Sequence, residues 1–338
     1  AMNHNLVKGA VKTLGTLAIA SLVSFGSQVL AESGDVSFEG KTVNINIRST
    51  PGGGYDTHGR LMARHIGKYL PGNPDVVPVN RPGAGGIVSA NYLYNQAASD
   101  GTELLVAARE IALAERLEGP GIRYKVLEMP VLGSPVAEAR VLMTRNDSPI
   151  KTLEDLENAT ETIRFSTSGT GAGSTQFIQV LMEAGYPADY ITGYEGTSDQ
   201  LLAALRGEVE GLSSTYPGAQ GMIEDENLNI IAKIGNHPDL EGVPDLRQVL
   251  TGDARSAANI LAVPLIAGRP FFIAPGTPPE IVAVLRDAFR KTLEDQDYIE
   301  ELARAGDAVG FTDPEEIEAL YREIFNASDA VIQLFQEE

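Results

Sequence analysis

Short runs of hydrophobic residues alternate along this chain with longer segments in which hydrophobic positions recur every three or four residues. The first short run, 43–47, alternates imperfectly and predicts a strand that is covered on both faces. Between 61 and 69 the hydrophobic positions fall on one stripe, which predicts an amphipathic helix. The alternation continues from Lys41 to about Phe325. It predicts an α/β protein with mostly parallel sheets flanked by helices.

Three segments carry the residues that commonly begin a helix. Thr277 and Thr312 each stand three residues before a glutamate, with proline in between. In this arrangement the threonine hydroxyl caps the first turn, and the glutamate reaches back to the cap. Thr152 begins a similar segment that ends in Asp155. We therefore predict helix starts at all three threonines.

Glycine-rich loops follow several of the predicted strands and precede helices. They lie at 51–56, 80–86, 167–175 and 194–197. Glycine lets bare backbone approach a ligand, and a helix N-terminus offers unpaired N–H groups to an anion. Ligands of open α/β sheets bind at the carboxyl ends of strands, where such loops lie. Four loops in two blocks of the sequence predict two lobes that face each other across a cleft.

The composition excludes several partners and chemistries. The 338 residues include 46 acidic and 26 basic side chains, a formal charge of −20, so we expect no binding to nucleic acid or to an anionic membrane surface. Cysteine is absent, which excludes disulfides, thiolate metal sites, a cysteine nucleophile and a lipid anchor on an N-terminal cysteine. At 43% hydrophobic and 21% charged residues, the chain has the composition of a globular protein.

The N-terminal segment, 1–31, has the pattern of a secretory signal peptide. Lys8 and Lys12 precede an apolar stretch of about a dozen residues, which is too short to span a bilayer. A cleavage pattern of small residues ends at Ala31, so we expect the mature chain to begin at Glu32. The expected location is the periplasm. The alternative is a buried N-terminal helix.

Catalytic motifs are missing from the sequence. Apart from His4 the histidines are His58, His65 and His237, and no pair has the i, i+3 or i+4 spacing of metal ligands. No nucleophile elbow, phosphate-binding loop with its lysine, or complete dinucleotide fingerprint is present. We therefore expect a protein that is not an enzyme, without catalytic residues, metal or cofactor. A pair of carboxylates for hydrolysis stays open, because the sequence does not show which acids meet in space.

Several of these segments together resemble one family. They are 51–56 (PGGGYD), 80–86 (NRPGAGG), 100–102 (DGT), 166–171 (STSGTG), 194–210 and 272–278 (FIAPGTP). They are similar to the signature runs of the tripartite tricarboxylate transporter solute receptors, the Bug or TctC family. The chain departs from the family pattern at Glu195, where many relatives have lysine, and at Gln176, where relatives often have histidine.

The resemblance implies a two-lobed periplasmic binding protein of the type II-like fold, with the ligand cleft between the lobes. Domain 1 would comprise 32–140 and 275–338, and domain 2 would comprise 141–274. The implied function is capture of a small carboxylate, a di- or tricarboxylate or an aromatic acid, by a monomer that delivers it to membrane permease subunits. The alternatives are an exported α/β hydrolase and an accessory that presents its ligand to a sensor kinase.

The candidate ligand-binding residues come from the glycine loops and their neighbours. In the first lobe, Tyr55 either stacks on the ligand or packs at the mouth of the cleft, and Asp56 is either the N-cap of its helix or a ligand group. In the second lobe, Ser168 and its neighbours either donate to the ligand or form a structural turn. The full set is Gly53, Gly54, Tyr55, Asp56, Gly85, Gly86, Ser168, Gly169, Gly173, Ser174, Thr175, Tyr194, Gly196 and Thr215.

Overall fold

Strands and helices alternate through residues 36–336, the part of the chain that the computed structural model describes. The predicted signal peptide, 1–31, lies outside these residues. The strands are β1 (Thr42–Ile47), β2 (Asp75–Asn80), β3 (Glu103–Val106), β4 (Val131–Gly133), β5 (Ala139–Thr144), β6 (Ile163–Ser166), β7 (Ala188–Ile191), β8 (Gly211–Thr215), β9 (Asn229–Gly235) and β10 (Phe271–Ile273). The helices are α1 (Gly54–His65), α2 (Ile87–Asn95), α3 (Ile111–Arg116), α4 (Leu153–Glu157), α5 (Gly173–Glu183), α6 (Thr197–Leu205), α7 (Tyr216–Glu226), α8 (Leu246–Val249), α9 (Gly252–Ile266), α10 (Pro279–Glu294), α11 (Gln296–Arg304), α12 (Pro314–Asn326) and α13 (Asp329–Gln333).

The strands form two five-stranded sheets, which confirms the predicted fold class. The first sheet has the order β2-β1-β3-β10-β4, and the second has the order β7-β6-β8-β5-β9. In each sheet four strands run in the same direction, while the fifth, β10 or β5, runs antiparallel to both of its neighbours. The two antiparallel strands mark the crossings between the sheets. The chain enters the second sheet at β5 and returns to the first sheet at β10.

The chain crosses between the sheets more than once. It leaves the first sheet after β4 and enters the second at β5, and it returns through α8 and α9 to β10. Strand β10, at 271–273, therefore pairs within the first sheet although it lies inside the range predicted for domain 2. A third segment near Thr312 runs beside Ser134 of the first crossing. The domain boundaries themselves stay a prediction.

Helix α9 packs against elements of both halves of the molecule. It contacts α5 and β9 beside the second sheet, and α12 and α13 beside the first. Buried side chains of one continuous hydrophobic cluster include Leu105 of β3, Phe165 of β6 and Ile260 of α9. The two sheets thus share part of one core through this helix.

The hydrophobic alternation of β1 is interrupted by its two asparagines, which make specific hydrogen bonds. Asn46 is fully buried, and its side-chain amide donates to the Glu103 carboxylate at 2.8 Å and to the Leu104 carbonyl at 2.9 Å. Asn44 donates to the other oxygen of Glu103 at 2.8 Å. These bonds satisfy polar groups that would otherwise be costly to bury.

Helices begin at all three predicted segments, but only one of the three predicted caps is correct. Thr152 and Asp155 form a complete capping box at the start of α4, as predicted. The caps at Thr277 and Thr312 are wrong, since α10 begins after Pro278 and Asp313 caps α12 by accepting from the Glu316 amide. An aspartate next to proline competes with threonine for the cap, which the spacing alone does not reveal. Among the described residues, every helix is too short or too polar to cross a membrane.

Candidate ligand-binding cleft

The four glycine loops lie at the carboxyl ends of parallel strands. They connect β1 to α1, β2 to α2, β6 to α5 and β7 to α6. Another strand of the second sheet, β8, ends at Thr215 and leads directly into α7. The loops of each sheet therefore gather at one edge, because parallel strands end on the same side.

The first loop is fixed by the carboxylate of Asp56. Gly53, not Asp56, is the N-cap of α1, and its φ of 81° favours glycine. Asp56 lies in the first turn, where it accepts hydrogen bonds from the Gly52 amide (2.9 Å), Arg60 (3.0 Å) and Asn80 (2.9 Å). Burial raises the pKa of Asp56, but these three donors outweigh burial and lower the pKa below its ordinary 3.8. Asp56 thus ties the first loop to the second, which begins at Asn80.

Replacing Asp56 with asparagine should reduce the free energy of unfolding by about 1–3 kcal/mol at pH 7, because three donors lose a charged acceptor. The lowered pKa means that the stabilisation is complete above about pH 4 and is lost as the pH falls through the folded-state pKa. Denaturant unfolding from pH 7 to pH 2 should show the Asp56→Asn variant and the parent converging at low pH. Asp75→Asn, at an exposed position of β2, is the control and should match the parent throughout. A constant difference across the pH range would contradict the role of the charge.

Tyr55 packs between two arginine side chains. The guanidinium carbons of Arg48 and Arg269 lie 4.6 Å and 4.2 Å from its ring centroid. The Tyr55 hydroxyl accepts a hydrogen bond from the Arg109 amide at 3.1 Å. The ring is therefore the packing partner of two cations, which each gain a favourable contact with its face.

Three glycines of the predicted site each lie against an arginine. A Cβ on Gly54 would collide with the guanidinium of Arg269. A Cβ on Gly86 would lie 3.0 Å from Nε of Arg48, and one on Gly173 would lie 2.9 Å from an Nη of Arg140. Any larger residue at these positions would press on the neighbouring guanidinium and make it shift. The pairs are Gly54 with Arg269, Gly86 with Arg48 and Gly173 with Arg140.

In the second loop, two glycines have backbone conformations that favour glycine. The φ angles are 63° for Gly85 and 104° for Gly86. Arg81, the cation nearest to this loop in the sequence, stacks on Tyr92 at 3.6 Å and donates to Asn46 at 2.6 Å. Its guanidinium is thus held by groups of the protein.

The hydroxyl groups of the third loop bond within the protein. The Ser168 amide donates to the Ser174 hydroxyl at 3.3 Å, and the Thr175 hydroxyl donates to the Gly169 carbonyl at 2.5 Å. The Ser168 hydroxyl accepts from Gln200 at 2.8 Å. These contacts fix the shape of the loop and agree with the structural-turn alternative for these residues.

The fourth loop packs on its own helix. Tyr194 lies against the buried cluster of Ala203, Ala204 and Val209, and Gly196 is the N-cap of α6. Thr215 lies at the end of β8, where its backbone pairs with Arg140 of β5.

A cavity of about 410 Å³ lies between the loops of the two sheets. Its polar lining includes Arg109 and Glu110, which follow β3, and Glu138 and Arg140 at the second sheet. Of the predicted residues, Gly173 and Thr215 belong to the lining, and the others lie outside it. Its apolar wall comes largely from α9, at 260–265.

Comparison with known proteins identifies the family. The family described as "Tripartite tricarboxylate transporter family receptor", TctC, matches residues 59–336, well over half of the chain. This chain belongs to that receptor family. The predicted resemblance is therefore confirmed, although the first glycine loop, at 51–56, precedes the matched span.

Individual relatives of the receptor are distant. Protein BugT of Bordetella pertussis is 24% identical over 301 residues, which is 86% of this chain and 88% of the relative. A Cupriavidus necator protein named "UPF0065 protein in gbd 5'region" is 27% identical over 283 residues, 79% of each chain. A crystal structure of a TctC solute-binding protein from Polaromonas, without ligand, has a TM-score of 0.69 at 20% identity, covering 88% of this chain and 99% of that chain. At that identity the likeness shows the fold alone.

The cations of the receptor's cleft are not among the predicted site residues. Arg109 and Arg140 line the cavity, and Arg48 and Arg269 flank Tyr55 beside it. Each is far from the others in the chain and stands in no recognisable motif. The only local signal is the glycine that each of three arginines abuts, and that signal was interpreted as room for a ligand.

The two arginines in the cavity differ in their partners. Arg109 forms an ion pair with Glu110 at 2.8 Å; burial lowers the pKa of Arg109, but this bond outweighs burial and the pKa is raised. Arg140 lacks such a partner within the described residues, and burial lowers its pKa to about 10. At neutral pH both side chains remain charged.

Proposed function

We propose that this receptor captures a small carboxylate in the periplasm and delivers it to the membrane subunits of a tripartite tricarboxylate transporter. Membership of the receptor family supports the transport role. The observation that carries the carboxylate assignment is the cavity of about 410 Å³, into which Arg140 brings a positive charge without a bonded carboxylate of its own. That volume suits a small organic molecule.

Binding would work by closure of the two sheets' loops on the ligand. A carboxylate in the cavity would contact groups from both sheets. Its binding energy would therefore favour the closed conformation, in which the loops of the two sheets lie closer together. The closed form would then present a surface that the permease subunits recognise. Candidate ligands are di- and tricarboxylates and aromatic acids.

A thermal-shift screen tests the ligand class. The protein is unfolded, dialysed and refolded to remove any co-purified ligand, and is then mixed with L-malate, citrate, adipate or benzoate, and with the amide of each acid. A ligand at about 100 times its Kd adds about 2.7 kcal/mol to the free energy of unfolding, which raises the Tm by several degrees. A rise with one or more acids and none with the amides supports the proposal. No rise with any acid, from protein shown to have refolded, overturns it.

Three further measurements address the alternatives, the partner and the location. Chromatography of the ligand after incubation should return it unchanged, whereas a hydrolysed product would favour the exported hydrolase. Cells that lack the gene should lose uptake of the bound acid and regain it with the gene restored. Unchanged uptake would contradict delivery to a transporter. The periplasmic fraction should contain a chain that begins at Glu32.

A further inference from the structure

The Arg140 guanidinium lies in the cavity at a position where an anion would be favourable. Arg140 stands near the start of β5, paired in the sheet with Thr215 on one side and Ile234 on the other. Its side chain lines the cavity together with Gly173, Gln176 and Thr215. The side chain therefore extends from β5 toward the segments that follow β6 and β8.

The charge of Arg140 lacks a partner within residues 36–336. Its one hydrogen bond is a long one, 3.5 Å from Nη1 to the Ser213 carbonyl, and no carboxylate lies within ion-pair distance. Arg145, at the other end of the same strand, shows the usual arrangement, with Asp147 at 2.7 Å and Glu210 at 3.6 Å. Glu138 lines the cavity and raises the pKa of Arg140 through its charge, but it is too distant to form an ion pair.

A second positive group converges on the same point. The guanidinium lies against Gly173, with three of its atoms 2.9–3.0 Å from where a Cβ would be. Gly173 is the first residue of α5, an eleven-residue helix whose N-terminus carries a partial positive charge. A cation beside a helix N-terminus is unfavourable unless an anion lies near both. Burial without a counter-charge adds to that cost.

We infer that Arg140 pairs directly with the anionic group of the ligand, so that this one side chain makes the receptor select a carboxylate over its neutral amide. This inference rests on the proposed function and adds the residue that sets the selectivity. A carboxylate at this point would accept charged hydrogen bonds from the guanidinium and would face the N-terminus of α5. An amide would offer a single neutral oxygen and would leave Arg140 without a counter-charge.

The test compares acid and amide in matched variants. Titration calorimetry measures L-malate, citrate, adipate and benzoate, and the amide of each, against the parent, Arg140→Met and Arg140→Lys. Arg164→Met, an exposed arginine on β6, is the control. The parent and Arg164→Met should prefer the acid by about 10- to 100-fold, the range for a charged hydrogen bond. Arg140→Met should reduce that preference to within about threefold. Arg140→Lys should keep the preference with weaker affinity, because it retains the charge without the planar fork.

The ratio of acid to amide separates this inference from other roles of Arg140. If Arg140 only pairs with Glu138 during closure, Arg140→Met would weaken acid and amide equally and leave the ratio unchanged, which overturns the inference while the proposed function stands. If the parent binds none of the acids, the proposed function fails and the inference fails with it. Should Arg140→Met not fold, Arg140→Gln takes its place, because it also removes the charge; a preference for the acid that persists in that variant would overturn the inference.

Discussion

Gly173→Ala should weaken binding of the preferred carboxylate by at least about tenfold while leaving the fold intact. The added methyl would lie 2.9 Å from the Arg140 guanidinium, so the cation must move out of its place in the cavity. Losing one charged hydrogen bond accounts for the size of the effect. Alanine at the first helical position is favourable relative to glycine, so the Tm should not fall. Calorimetric titration and thermal unfolding of the same preparation measure both quantities.

Gly221→Ala is the matched control for this substitution. Gly221 lies in α7 of the same lobe, and a Cβ there would meet no atom within 4 Å. This variant should bind as the parent does. If Gly173→Ala also binds as the parent does, Arg140 has room to adapt, and its contact with the glycine does not position it.

Tyr55→Ala should lower both the free energy of unfolding, by about 2 kcal/mol, and the affinity for the carboxylate, by about tenfold. The ring is in contact with Arg48 and Arg269, and each cation–aromatic contact contributes about 0.5–2 kcal/mol. Without the ring the two cations would repel each other, and Arg109, which lines the cavity, would lose the bond from its amide to the Tyr55 hydroxyl. Chemical denaturation and titration of the same variant report the two effects separately.

Tyr55→Phe isolates the hydroxyl group from the ring. It keeps both stacked arginines and loses only the bond accepted from the Arg109 amide, at 3.1 Å. We expect a change of about 1 kcal/mol or less in the free energy of unfolding. A loss as large as that of Tyr55→Ala would place the role of Tyr55 in its hydroxyl group.

The fold could be predicted because its signals are local. A hydrophobic run followed by glycines and then by a helical stripe describes β1 with α1, and the same order recurs at β6 with α5. Each such unit is specified within about 30 residues, and parallel strands bring the loops to one edge without further information. The caps at Thr277 and Thr312 were wrong for a related reason, since the Thr277 hydroxyl donates to the Ala274 carbonyl instead and the neighbouring Asp313 caps α12.

The chemistry of the cleft could not be predicted, because its cations meet only in the folded chain. Arg48 follows β1, Arg109 follows β3, and Arg269 precedes β10. No sequence spacing relates them, and an isolated arginine is most often an exposed residue. Asp56 illustrates the same limit at short range. An aspartate just before a predicted helix suggested an N-cap, yet its carboxylate accepts hydrogen bonds from the Gly52 amide and the Asn80 side chain.

Helix α9 has a consequence for how the receptor unfolds. Because it contributes to one hydrophobic cluster together with β3 of one sheet and β6 of the other, neither sheet can lose its structure without exposing part of the other's core. Heating should therefore give a single calorimetric transition whose van't Hoff and calorimetric enthalpies agree, as for a single cooperative unit. Two independently melting lobes would give two. The same helix that supplies the apolar wall of the cavity would thus link ligand binding to the melting of the whole molecule.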